Sequence, residues 1–326
     1  MVMRWRLVAA YLAAWVTVSS AASLPGQDDP FLVGDGVGGT FVTHPELLTD
    51  DSVRGSWLDS VREDFRPQDF PDEPWGWHLL PEGLLYKSYI AGEKEPRMST
   101  AFLHETGGET LWDSALGGRV GLARFGTARG IQPEGFQIDV EGAALLRMQP
   151  QEERDVMSVD FRAGVPLTYR EGPFQAKLAY YHISSHVGDE YLIKNPGYVR
   201  NNYSRDAFVL GGGWFPIDPL RLYAEVGWSF YGTGGDKPWE FQTGFEWSSN
   251  RPTGIRGEPY LAVNAQFRET VDWNGSINVM AGWQWRGRES DHVFRAGMQY
   301  FNGPNSQYVF LNDHQQLIGA GIRYDY

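Results

Sequence analysis

The sequence predicts an all-β protein: a transmembrane, antiparallel, up-and-down β-barrel of about twelve strands with an irregular N-terminal extension. From about Met98 onward, apolar and polar residues alternate in short segments that are separated by Gly, Pro, Asn and acidic turns. Successive side chains of a strand point to opposite faces, so each segment has one apolar face and one polar face. No run of 18 apolar residues follows Ser23, and spanning helices are therefore not expected.

Twelve segments carry this pattern and are the predicted strands. They lie near residues 98–105, 115–125, 136–147, 156–169, 174–186, 203–214, 220–231, 239–248, 258–268, 276–286, 292–301 and 316–326. An even number suits a bacterial single-chain barrel with both termini in the periplasm. The second segment is weakly patterned and Pro166 removes a ladder hydrogen bond from the fourth, so ten or fourteen strands remain open.

A soluble β-sandwich would show the same alternation, and two features favour the membrane instead. The polar faces repeatedly combine Arg with Asp or Glu and Gly, which is typical of a crowded lumen that pairs its own charges. Aromatic residues also cluster near strand ends, as an interfacial girdle requires. These residues are Trp214, Trp228, Trp239, Trp247, Trp273, Trp283, Trp285, Tyr324 and Tyr326.

The N-terminus predicts export by a cleaved signal peptide over residues 1–22. Arg4 and Arg6 form a positive region, an apolar stretch follows, and small residues precede a mature start at Ser23. The predicted location is the bacterial outer membrane. The chain has no Cys, which excludes both lipoprotein attachment and disulfides.

Residues 23–75 are predicted to be an acidic periplasmic extension, and residues 76–326 the barrel. The extension holds 12 Asp and Glu against 3 Arg and has one helix candidate, Ser52 to Phe65. The net charge is −13, and the absence of a basic patch argues against a nucleic-acid partner.

The chain ends on an aromatic residue of an apolar strand face. This ending resembles the C-terminal strand of bacterial outer-membrane barrels, which serves as a signal for the insertion machinery. The resemblance implies an insertion signal at Gly319, Ile322, Tyr324 and Tyr326. The expected partners are that machinery and outer-membrane lipids, while the oligomeric state is left open.

A longer resemblance begins just before the first predicted strand, at Trp77-His78-Leu79-Leu80-Pro81-Glu82-Gly83-Leu84-Leu85-Tyr86-Lys87-Ser88-Tyr89 and Ala91-Gly92-Glu93-Lys94-Glu95-Pro96-Arg97. These residues resemble the opening of an uncharacterised bacterial family, domain of unknown function 1207. The resemblance covers most of residues 75–326 and implies an outer-membrane barrel, without an activity to carry over. The leading functional prediction is thus a barrel with a structural or small-solute passage role.

Charged residues on the polar faces are predicted to line the lumen. They are Arg147, Arg162, Glu141, Asp160, Arg221, Glu225, Glu246 and Arg286. A twelve-stranded barrel is narrow, and such side chains can fill much of its interior or close it with ion pairs. An open channel is therefore not implied.

The alternative function is a lipid acyl hydrolase. His182 and Ser184 share the apolar face of one strand and lie about 7 Å apart along it, where an imidazole base can meet a hydroxyl nucleophile. This pair resembles outer-membrane phospholipase A, with its Ser-His-Asn site. The resemblance implies Asn201 or Asn202 as the third residue. Asp189 and Glu190 could then supply a calcium site near the oxyanion, and no cofactor is expected otherwise.

Two further interpretations of this region stay open. His182 and His186 could lie in the lipid headgroup zone without any chemistry, since an imidazole is costly at a lipid-facing position. The long loop from Val187 to Asn202 could instead bind surface lipid or protein.

Overall fold

A computed structural model describes residues 73–288 and 290–326. The predicted signal peptide, the mature start at Ser23 and the helix candidate from Ser52 to Phe65 lie outside these residues. Over the part of the chain that is described, no helix is long and apolar enough to cross a membrane.

The described chain forms thirteen strands and very little helix. The strands are β1 (Gly76–Leu79), β2 (Met98–Glu105), β3 (Thr110–Gly126), β4 (Gly135–Gln149), β5 (Asp155–Glu171), β6 (Phe174–Val187), β7 (Tyr203–Ile217), β8 (Leu220–Thr233), β9 (Trp239–Trp247), β10 (Glu258–Arg268), β11 (Gly275–Arg286), β12 (Val293–Pro304) and β13 (His314–Asp325). One α-helix, α1 (Asp189–Lys194), follows β6, and 3-10 turns cover Glu269–Val271 and Tyr308–Phe310.

Strands β2 to β13 close into a barrel in which each strand pairs antiparallel with its neighbours in the chain. Closure follows because β13 pairs with β2, and β3 pairs with both β2 and β4. The twelve predicted strands are the twelve strands of this wall. Pro166 lies within β5 opposite Ala179, without ending the strand.

Strand β1 is an addition that the alternation did not predict, because four residues are too few to show a period. It pairs with the last residues of β3, from Gly76 opposite Gly126 to Leu79 opposite Ala123, whereas β2 pairs with β3 only as far as Leu116. Strand β1 thus extends the barrel wall along β3, beyond the point at which β2 starts. The connecting residues 80–97, here called the inward segment, leave the wall between the two strands.

The outer surface of the barrel is apolar along its length. Large exposed side chains include Phe102, Leu116, Val120, Phe136, Phe161, Val165, Leu167, Leu178, Phe208, Leu210, Phe241, Ile318 and Ile322. The end at which the chain enters and leaves the barrel is here called the terminal end, and the opposite end is called the loop end. Aromatic side chains flank the apolar belt at both ends. A closed barrel with apolar side chains on its outer surface excludes the soluble β-sandwich. It is the arrangement expected of a protein in a lipid environment.

The inner surface carries the polar half of each alternation. On β13, Leu317 and Arg323 are buried inside, while Ile318 and Ile322 are about half exposed outside, as the sequence predicts for this strand. Among the described residues, the interior holds many buried Arg, Asp, Glu, Asn and Gln side chains and only small apolar clusters. The lumen is therefore held together mainly by ion pairs and hydrogen bonds.

Candidate functional site

All eight residues predicted to line the lumen lie on the inner surface, and each is within ion-pair distance of a charged partner. The pairs are Arg147 with Asp113, Arg162 with Glu141, Arg221 with Glu246, Arg286 with Asp291, Lys177 with Glu225 and Lys94 with Asp160. Removing a charge from water is costly unless a partner and further hydrogen bonds compensate. The network consequently favours a filled interior over an open one.

The inward segment occupies the middle of the lumen. Its side chains Leu85, Tyr86, Tyr89 and Ala91 are almost completely buried. The Tyr89 hydroxyl donates to Glu225 of β8 over 2.8 Å, and the backbone N–H of Ile90 donates to Glu246 of β9 over 2.6 Å. The sequence did not predict this placement, since only the closed barrel brings residues so far apart in the chain together.

A second segment closes the lumen from the loop end. Residues 305–313, here called the lid loop, connect β12 to β13, and Tyr308, Val309, Phe310 and Leu311 within them are buried. The ring of Phe310 packs edge-on against Tyr191 of α1 and against Tyr198. The predicted surface loop from Val187 to Asn202 thus covers the lid loop from outside.

Asp160 of β5 joins the inward segment to the lid loop. One of its carboxylate oxygens, Oδ2, accepts from Lys94 Nζ over 2.5 Å and from the backbone N–H of Tyr308 over 3.2 Å. The other oxygen accepts from the Ser185 hydroxyl, which itself accepts from the backbone N–H of Val309 over 3.1 Å. One fully buried carboxylate therefore holds both closing segments in place.

Small cavities lie in the lumen, among them a lower and an upper one. The lower one, of about 40 Å³, lies towards the terminal end and is bordered by Arg221, Phe215, Asp291 and Tyr326. The upper one, of about 80 Å³, is bordered by Glu95, Arg147, Phe301 and the lid loop. Such volumes hold a few water molecules, since each water needs roughly 10–15 Å³ by this measure.

The His182 face lies on the outer surface, where β6 and β7 pair. His182 stands opposite Asp206, and its Nδ1 lies 2.9 Å from Asp206 Oδ1. The Tyr180 hydroxyl donates to the same oxygen over 2.6 Å. An ionised carboxylate only accepts, so Nδ1 carries the proton and Nε2 is the basic nitrogen of the neutral ring.

Ser184 lies two residues further along the same face of β6, and within the described residues it makes no direct hydrogen bond to His182. Contacts of this kind are often long in a free enzyme and tighten when substrate binds. His186 is exposed, and its ring is 5.9 Å from that of Phe161. The described geometry therefore contains an oriented base and a nearby hydroxyl on a lipid-facing surface.

Neither predicted asparagine contacts His182. The Asn201 amide donates to the carbonyl oxygen of Gly234 over 2.9 Å, and the Asn202 carbonyl accepts from the Thr233 hydroxyl. The register of β6 and β7 brings Asp206 to the imidazole instead. Sequence counting missed Asp206 because the irregular loop before β7 hides that register.

The predicted calcium ligands lie apart from this face. Asp189 and Glu190 are exposed in the first turn of α1. In residues 73–288 and 290–326, no group of three or more His, Cys, Asp or Glu could hold a metal ion.

The residues of the predicted insertion signal lie on β13 and at the chain end. Ile322 faces outward, and Tyr324 contacts His292 across a 2.6 Å hydrogen bond. A side chain at Gly319 would overlap the carbonyl oxygen of Phe102 on β2, so close strand contact requires glycine there. The ring of Tyr326 lies against Gly118 of β3. This contact lies between β1 and β2, where the inward segment leaves the wall.

The model of the family described as "Protein of unknown function (DUF1207)" matches residues 76–326. The chain belongs to the DUF1207 family. The match begins at β1 and ends with the last residue, so the DUF1207 region is the barrel together with its inward segment. No curated protein matches the chain.

Solved structures similar to this DUF1207 protein are bacterial outer-membrane barrels. The KdgM porin is 12% identical, with 70% of this chain and 99% of that chain covered and a TM-score of 0.39. Outer membrane phospholipase A from Escherichia coli is 12% identical, with 74% and 96% covered and a TM-score of 0.46. At such identities the similarity concerns the barrel fold alone.

Proposed function

We propose that this DUF1207 protein is an outer-membrane barrel that its own chain keeps closed, and that it passes small solutes when the closure loosens. The junction at Asp160 carries the proposal, because it ties both closing segments to the wall through one buried carboxylate. The lower and the upper cavity each hold only a few waters, which supports a closed resting state.

The proposed setting is the bacterial outer membrane with the terminal end in the periplasm. The apolar outer belt supports contact with membrane lipids, and the even strand count puts the start of β2 and the end of β13 on one side of the barrel. We further propose export by the cleaved signal peptide. The C-terminal residues Gly319, Ile322, Tyr324 and Tyr326 would be read by the insertion machinery.

Replacing Asp160 with Ala tests the closure. The change leaves Lys94 buried without its partner and frees the backbone N–H of Tyr308, so both closing segments are expected to loosen. A buried pair that loses one member typically costs about 3–5 kcal/mol. In planar lipid bilayers, the wild type is expected to show baseline current, and D160A frequent transient openings.

The matched control is Lys194→Met on the surface of α1. Lys194 pairs with Glu152 and Asp155, and hydrogen bonds to Asp155 and Glu152 raise its pKa above the ordinary value, but it touches neither closing segment. This variant is expected to stay closed. Folding of each variant is checked by its gel mobility before and after heating. A folded D160A barrel with wild-type current would contradict the proposal.

A second candidate function is lipid acyl hydrolysis at the outer surface. The observation that favours it is the contact of Asp206 with His182, which orients the imidazole as in Ser-His-Asp sites. Ser184 Oγ would attack the ester carbonyl and pass its proton to His182 Nε2. The ester C–O bond then breaks, the leaving alcohol takes that proton, and water hydrolyses the acyl-serine by the same route.

Fatty acid release from phospholipid micelles tests this candidate, with calcium added in one arm and removed by a chelator in the other. Loss of the nucleophile in S184A is expected to lower the rate by on the order of 10³-fold or more. D206N is expected to lower it about 10⁴-fold, because the imidazole tautomer changes. H186A, which leaves Asp206 and Ser184 intact, is the control. Equal release from wild type and S184A would exclude the hydrolase.

A further inference from the structure

Three inward-facing side chains near the terminal end carry polar atoms that nothing in the described chain satisfies. Arg170 lies opposite Gln175 in the β5–β6 pairing, and Gln175 lies opposite Gly213 in the β6–β7 pairing. Arg221 of β8 completes this row on the other side of Gly213. The row of Arg170, Gln175, Gly213 and Arg221 is here called the arginine row.

Six buried atoms of the arginine row lack a hydrogen-bond partner: Nε and Nη1 of Arg170, Nε2 and Oε1 of Gln175, and Nε and Nη2 of Arg221. The three side chains are 4%, 4% and 2% exposed, respectively. Five of these six atoms are N–H donors. Buried polar groups normally have partners, so a cluster of unsatisfied donors indicates a missing group that accepts hydrogen bonds.

Gly213 has no side chain, so its backbone lies close to the centre of the arginine row. A Cβ atom built on Gly213 would lie 3.3 Å from Gln175 Oε1 and 3.4 Å from Arg221 Nε, so any side chain there would crowd both. The lower cavity adjoins the row, because Arg221 and Phe215 border it. The guanidinium of Arg170 lies over the ring of Phe215, with its Cζ 5.3 Å from the ring centroid.

The charges around the arginine row favour an anion. Arg170 has no ion pair in the described chain, and its one hydrogen bond to a side chain goes to the neutral amide of Gln132. Of the carboxylates near the row, Glu246 pairs with Arg221 through Nη1 alone, while Asp291 pairs with Lys87 and Arg286. Fixed guanidinium forks match the geometry of phosphate and carboxylate oxygens.

We propose that the arginine row binds a small oxyanion, a phosphate or a carboxylate group, at the terminal end of the lumen. Arg170 and Arg221 donate to its oxygens from two sides, and the Gln175 amide donates between them. Binding at this site is independent of solute passage, because the row is formed in the closed barrel.

Isothermal titration of the full-length barrel in detergent with inorganic phosphate tests the proposal. The wild type is expected to bind at one saturable site. The R170Q and Q175L variants are expected to bind roughly ten- to a hundredfold more weakly, the range of one lost charge-assisted hydrogen bond. Lys194→Met is the control and is expected to bind as the wild type does. R170K, which keeps the charge and loses the fork, is expected to bind with intermediate affinity.

A parallel titration with acetate distinguishes the two oxyanion classes. Saturable binding of either anion that R170Q and Q175L weaken supports the site and names the class. If neither anion saturates in the wild type, the row is filled by water only and the proposal is wrong. Binding that both variants retain at wild-type affinity would place the anion elsewhere and overturns it equally. Since Q175L changes no charge, its result separates specific donation from a general electrostatic effect.

Discussion

A barrel that lacks residues 84–95 is expected to conduct ions continuously. These residues fill the middle of the lumen with the buried side chains of Leu85, Tyr86 and Tyr89. A short Gly-Ser linker from Gly83 to Pro96 would keep β1 and β2 connected. Without the segment Asp160 also loses its contact with Lys94, so the hydrogen bonds of Asp160 to the lid loop are expected to weaken as well.

Single-channel recording and swelling of liposomes in small sugars measure this effect. The expected result is a change from baseline current to long discrete steps, with entry of small sugars, because the space that the buried side chains of residues 84–95 occupy is then left unfilled. A same-length replacement of residues 84–95 by Gly and Ser is the matched control for chain length. This Gly and Ser variant is expected to conduct as well, with more frequent brief closures of the channel. A folded deletion variant that stays silent in both assays would show that the wall side chains close the lumen unaided.

Replacement of Arg147 is expected to cause a large loss of stability. Its guanidinium is fully buried and donates to Asp113 over 2.7 and 2.6 Å, to Asn305 over 2.9 Å and to Gln315 over 2.6 Å. It thus joins β3, β4, β13 and the start of the lid loop. Arg147→Met leaves the partly buried Asp113 carboxylate without this partner and removes the hydrogen bonds to Asn305 and Gln315. The expected loss is about 3–5 kcal/mol of unfolding free energy.

Urea unfolding in lipid vesicles, followed by tryptophan fluorescence, measures this loss. The control is Lys194→Met, which removes an exposed ion pair at the loop end. It is expected to leave the unfolding midpoint unchanged. Adding Asp113→Leu to Arg147→Met is expected to restore part of the loss, because no unpaired charge then remains. An unfolding curve of Arg147→Met that overlays the wild type would contradict the assigned role.

The sequence alone located the twelve wall strands closely, and the reason is physical. A barrel wall has lipid on one side and a polar interior on the other, so each strand must alternate at a period of two. β2 and β10 have the predicted bounds, and β13 has the predicted inward and outward faces. The alternation did not predict β1, because a strand of four residues is too short to display that period.

The alternation also identified inward-facing charges such as Arg147 and Asp160, but not their partners. Lys94 is 66 residues away from Asp160 in the chain, and their contact exists only because the inward segment folds into the lumen. Likewise, His182 and Ser184 were visible as a pair on one strand. Asp206 lies opposite His182 only because of the register in which β6 and β7 pair. A loop of irregular length precedes β7, so the sequence does not show that register.

The sequence by itself determined that the chain forms a closed wall with apolar side chains outside, because each strand encodes its two faces locally. Only the tertiary structure decided that the interior is filled, which carboxylate joins the two closing segments, and where guanidinium groups are left without acceptors. Those properties depend on contacts between residues distant in the chain. Such contacts are set by strand register and by the path of residues 80–97, and neither leaves a periodic trace in the sequence.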